Sequence, residues 1–134
     1  MHTLDELVPQ AHLVRKLENA LDFRFIYPKV KRLYSRHGRP SIDPVVLFKM
    51  LVINILFGYN SMRRTCQEIQ VNLAHRWFLG LSMDEPVPNF STWSQNYILR
   101  YKDSSIFEEI FEEILSQAVS YGFVDCKDRS WKYP

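Results

Sequence analysis

Apolar residues recur at helical spacing along most of this chain, and polar breaks divide them into a succession of helices. Leu13, Leu17 and Leu21 stand at i, i+4 and i+8, which predicts a helix over 11–21. A shorter helix is expected over 28–35, with Val30, Leu33 and Tyr34 inward and Lys29, Lys31, Arg32 and Arg36 wet. The turn Gly38-Arg39-Pro40 ends it. Asp43-Pro44 is the clearest helix start: Asp43 can cap free N–H groups, and Pro44 suits a first position where its missing donor costs nothing. The helix is expected to run to Phe57, with Gly58 as its stop. Being apolar nearly all round, it should be the central one.

Ser61 is placed to cap a helix over 62–71, with Met62, Cys66, Ile69 and Val71 inward and Arg63, Arg64, Gln67 and Glu68 outward. Asn72 opens a short segment ending Trp77-Phe78-Leu79-Gly80. Pro86-Val87-Pro88 forces an extended approach to Asn89 or Ser91, each a good N-cap. The helix that follows, to about Tyr101, is expected to turn Trp93, Tyr97 and Ile98 inward and Gln95, Asn96 and Arg100 outward. The last helix is the most regular. Ser105 and Glu108 form an S-x-x-E capping box. Ile106, Phe107, Ile110, Phe111, Ile114, Leu115 and Ala118 make its apolar stripe, opposite Glu108, Glu109, Glu112 and Glu113. Gly122 stops it.

Composition narrows the fold class. The chain is 46% hydrophobic and 14% aromatic with four glycines, and it has few alternating Val/Thr runs. A compact all-α domain of about six helices is expected over 1–124, with a loose tail over 125–134. The modest net charge of +2 hides an asymmetry. Residues 1–80 hold 12 Lys/Arg against 6 Asp/Glu, whereas 81–134 hold 5 against 9. A basic front and an acidic back suggest one part facing a polyanion and another facing a partner.

Cys66 and Cys126 lie far apart, and the four histidines do not cluster, so no zinc site, metal or cofactor is expected. A reduced, cytoplasmic protein is the economical expectation. The opening Met-His-Thr-Leu-Asp-Glu-Leu lacks the pattern of a signal peptide. The apolar run 45–57 is shorter than the roughly 20 residues of a membrane span, and Lys49 and Asn54 interrupt it. Phosphate-loop, G-x-S-x-G, H-E-x-x-H and calcium-loop motifs are absent. The four glutamates of the last helix read as a solvated face.

The pattern suits DNA better. Three helices between Ser61 and Tyr101 with short connections suggest a helix-turn-helix-like unit, whose last helix begins with small polar residues. Asn89, Ser91, Thr92, Gln95 and Asn96 can bond bases or phosphates, and Arg36, Arg39, Arg63, Arg64, Arg76 and Arg100 can neutralise phosphates. Trp77, Phe78 and Trp93 read as core.

Four pieces in order resemble the N-terminal domain of bacterial insertion-sequence DDE transposases of the InsH-like type. They are Gly38-Arg39-Pro40-Ser41 with Pro44; Ser61 with Arg63-Arg64; Arg76-Trp77-Phe78-Leu79-Gly80-Leu81; and Val87-Pro88-Asn89 with Ser91-Thr92. The resemblance spans roughly residues 8–124. Phe90 and Asn96-Tyr97 stand where the family usually has His and an Arg-rich continuation. It implies double-stranded DNA, the transposon's terminal inverted repeats, as the partner, in a bacterial, nucleoid-associated setting. It also implies a ribonuclease-H-like catalytic domain after the acidic helix, opening on a D-[ST]-T strand that residues 124–130 do not match. The expectation is therefore a truncated or frameshifted product that binds DNA without catalysing. The rival expectation is an interaction module that dimerises through the acidic helix and inhibits full-length transposase.

Overall fold

Asp43 caps the helix that organises the domain, its carboxylate accepting the Val45 N–H at 2.8 Å. That helix is one of eight in the computed structural model, which describes residues 2–35 and 42–124. In chain order they are α1 (Leu4–Leu7), α2 (Leu13–Ala20), α3 (Ile26–Ser35), α4 (Pro44–Leu56), α5 (Met62–Val71), α6 (Leu73–Leu79), α7 (Phe90–Arg100) and α8 (Ile106–Ser120). No strand occurs among the described residues, so the fold class is all-α as expected. The count exceeds six because short helices carry little periodicity. The four residues of α1 are held by Thr3, whose hydroxyl accepts the Glu6 N–H. The Gly38–Ser41 turn, with Arg36 and Arg39, lies outside the described residues, as does the expected tail over 125–134.

Helix α4 touches α3, α5 and α6, while α6 also packs on α1 and α2. Nine consecutive-turn positions of α4, among them Leu47, Phe48, Met50, Leu51 and Ile53, are buried. Gly58 ends it in the left-handed region (φ +71°), and the Tyr59 N–H then reaches back to the Asn54 carbonyl at 3.1 Å. The two polar residues that interrupt its apolar run are both inside. Lys49 pairs with Glu18 at 2.8 Å and donates to the Phe78 carbonyl at 2.9 Å. Asn54 donates to Thr65 Oγ1 at 2.9 Å, tying α4 to α5. A buried cation or amide is tolerable when its bonds are made, and these are.

Helix α8 closes the core with every residue of its expected stripe buried, from Ile106 to Ala118. Its start differs from expectation. Ser105 has helical backbone angles and no capping bond, so the Ser105–Glu108 box does not form. Ser104 supplies the hydroxyl instead, accepting the Ile106 N–H at 3.1 Å. Phe111 and its neighbours on the stripe face the domain's own interior.

Two facing expectations are corrected. Val71 is 80% exposed, at the end of α5 beyond the turn that packs. In α7 the buried residues are Trp93, Asn96 and Arg100, while Ile98 is 55% exposed. The Trp93 ring sets this rotation: it is fully buried, and its Nε1 donates to the Leu47 carbonyl of α4 at 3.2 Å. Positions three and seven residues on then follow it inward. Among the described residues no helix is long and apolar enough to cross a membrane.

Candidate nucleic-acid interface

The surface around α5, α6 and α7 is built from caps and a few arginines with distinct surroundings. Ser61 caps α5 through the Arg64 N–H at 3.1 Å, Asn72 caps α6 through the His75 N–H at 3.0 Å, and Asn89 caps α7 through the Thr92 N–H at 2.9 Å. All three are sequence-expected starts. Asn89 therefore has its side-chain oxygen committed to the helix, with its amide group still on an exposed residue.

Of the expected phosphate-binding arginines, Arg63 and Arg64 are exposed on the first turn of α5. Arg64 pairs with Glu68 at 2.8 Å, an i,i+4 contact that offsets part of its charge. Arg63 lies over the Phe90 ring, 4.6 Å from its centre, which joins the first turn of α5 to the first residue of α7. No carboxylate among the described residues is within ion-pair distance of Arg63.

Arg76 is engaged differently. Its guanidinium donates to the carbonyls of Gln70, Ser82 and Glu85, at 2.8 Å for the shortest, and so fastens the loop after α6 to the end of α5. Arg100 is buried, with its guanidinium 4.4 Å above the Tyr34 ring and one bond to Asn96 Oδ1 at 3.3 Å. Asn96 is buried too, donating to the Thr92 carbonyl at 2.9 Å. The expectation that Asn96 and Arg100 lie on the outward face of α7 is thus overturned by the Trp93 anchor. Ser91 and Gln95 are exposed and Thr92 is half-buried.

Sequence reasoning missed two kinds of residue here. Ile98 and Leu99 stand out from α7, each 55% exposed, because aliphatic side chains are assigned inward by default. Arg15, to which the sequence assigned no role, is buried: it binds the Asp5 carboxylate at 2.9 Å, bonds the Val8 carbonyl at 2.8 Å and sits 4.4 Å over Trp77. Bonds from Trp77 and Arg15 hold the Asp5 carboxyl below the usual carboxylate range. No sequence signal marks that clamp, since its parts are scattered over 72 positions.

The titratable interior is inert in character. Burial pushes the Cys66 thiol up to about 11, leaving it a small apolar filler. Burial also draws His75 down to about 4, with the charge of His12 adding to the effect. Its Nε2 meets the Tyr59 hydroxyl at 2.9 Å. Among the described residues no three His, Cys, Asp or Glu side chains are grouped to hold a metal ion.

An all-helical domain with capped short helices and an exposed, ring-supported arginine is the class that these features define. The family model described as Transposase domain (DUF772) matches residues 2–98. The chain belongs to this transposase domain family. It matches no curated protein and no solved structure.

Proposed function

We propose that this domain binds double-stranded DNA at the terminal inverted repeats of an insertion sequence, through a helix-turn-helix-like unit formed by α5, α6 and α7. The observation that carries the reading is Arg63, exposed, without a carboxylate partner among the described residues and fixed by Phe90 beside the start of α7. A guanidinium there neutralises backbone phosphate while Ser91 and Gln95, outward on the next turns, reach groups in the groove. Arg64 and the amide of Asn89 add phosphate contacts, and Arg36 and Arg39 are assigned the same role on sequence alone. Membership of a transposase family supports this choice of partner. In this reading Arg76, Asn96 and Arg100 act by shaping the unit, and the domain's share of transposition is end binding at the bacterial nucleoid, not strand transfer.

Gel shifts of the protein with a terminal inverted repeat and with random duplex, at roughly 50 and 200 mM salt, test the proposal. Binding should favour the repeat and weaken steeply with salt. Arg63→Ala should weaken it on both duplexes and lower the salt slope by about 1. Equal binding to both duplexes, or indifference to Arg63→Ala, overturns it.

A further inference from the structure

We infer that Phe90 is a positioning residue for DNA binding, whose ring orders the Arg63 guanidinium before a backbone phosphate arrives. The inference rests on the DNA-binding reading above and deepens it, by giving a role in affinity to an uncharged side chain. Two adjacent arginines supply the contrast. Arg63 and Arg64 both stand exposed on the first turn of α5. Arg64 is anchored along its own helix, because the residue four positions on is Glu68, at 2.8 Å. Arg63 has uncharged Gln67 at the same spacing, so its own helix offers no ionic anchor there. Its contact runs across to another helix instead: the guanidinium carbon lies 4.6 Å from the centre of the Phe90 ring.

Phe90 is built to be a steady platform. It is the first residue of α7, half-buried and packed against the core, and the Asn89 cap beside it fixes the start of the helix. A free arginine side chain samples many rotamers, and ordering it on a phosphate costs entropy at the moment of binding. A side chain already laid on a ring has given up that freedom beforehand. The two ways of holding an arginine differ in what they leave over. The carboxylate of Glu68 offsets the charge of Arg64 and takes up its Nε donor. A ring attracts the guanidinium through its negative face without cancelling the charge, and it leaves the N–H donors of Arg63 for phosphate oxygens. Phe90 thus orders the cation and keeps it whole.

The test is binding to a duplex of random sequence, which suffices because a phosphate contact carries no sequence information, at roughly 50 and 200 mM salt. Phe90→Leu keeps the apolar bulk and removes the ring. It should weaken binding about two- to fivefold, the worth of a cation–π contact at an exposed site, and leave the salt slope unchanged because no charge is lost. Arg63→Ala, by contrast, should lower the slope by about 1. Added to Arg63→Ala, Phe90→Leu should cost nothing further, and Phe90→Trp alone should bind at least as tightly as wild type. Equal weakening by Phe90→Leu with and without Arg63 makes the ring a packing group only and overturns the inference. Binding indifferent to Phe90→Leu also overturns it, and both results leave DNA binding intact. Absence of salt-dependent binding by the wild-type protein removes the DNA reading itself and the inference with it.

Discussion

Helices α7, of 11 residues, and α8, of 15, both mix apolar and polar residues, yet they meet the core in opposite ways. Helix α8 turns seven apolar residues inward and its glutamates outward. Helix α7 turns Trp93, Asn96 and Arg100 inward and Ile98 and Leu99 outward. The difference lies in how many constraints each helix answers. A stripe as continuous as that of α8 has one rotation that buries it, and hydrophobic burial selects that rotation alone. In α7 a single large anchor decides. Trp93 is fully buried and bonded to Leu47, it stacks on Tyr97, and the polar neighbours carried inward find partners in Thr92 and Tyr34. Aliphatic side chains on the far side are then left exposed.

The largest expected effect breaks the α8 side of this contrast. Phe111→Ala should cost roughly 3–5 kcal/mol, read from urea denaturation, because a buried ring leaves a cavity in the wall of the core. A cost under about 1 kcal/mol would mean that α8 does not close the core.

A second experiment concerns a buried polar residue of the neighbouring α6. His75 is held neutral by burial down to about pH 4, against about 6.5 when unfolded. Protonation therefore favours the unfolded chain in that window. The stability that His75 contributes is full above about pH 6.5 and should fall by about 3 kcal/mol as pH drops to 4. His75→Gln should flatten this part of the pH–stability curve; an unchanged curve would refute the assignment.

The inward side of α7 is sharpened by replacing its cation. Arg100 Nε has no hydrogen-bond partner among the described residues, and its guanidinium rests on one 3.3 Å bond and a ring. Arg100→Ala should cost about 1–2 kcal/mol through lost packing. Arg100→Met, which keeps the apolar stem, should lie within about 1 kcal/mol of wild type. Equal losses for the two would show that charge, not volume, holds the site. The smallest effect is on the outward side: Ile98→Ser and Leu99→Ser should each change stability by less than about 0.5 kcal/mol by thermal melting. A larger cost would place them in the core after all.

Much of the fold was legible along the chain because the relevant physics is local. The cap of α4 at Asp43, the starts of α5 and α7 at Ser61 and Asn89, and the stop at Gly58 each involve residues within a few positions of one another. The four-residue α1 was not legible, since it has too few positions to show a period and is fastened from afar by Arg15. The interface was legible in part. Arg63, Arg64, Ser91 and Gln95 are exposed as expected, whereas the surroundings of Arg76, Asn96 and Arg100 depend on residues elsewhere in the fold.

By itself the sequence determined that the chain is all-α, where its main helices begin and stop, and which face of α8 is buried, because caps, glycines and a seven-residue stripe act over one or two turns. The tertiary structure alone decided which arginines remain available and which way α7 faces. Those outcomes follow from Trp93 meeting Leu47, Arg100 meeting Tyr34 and Arg76 meeting Glu85, and such long-range meetings leave no periodic trace in the chain.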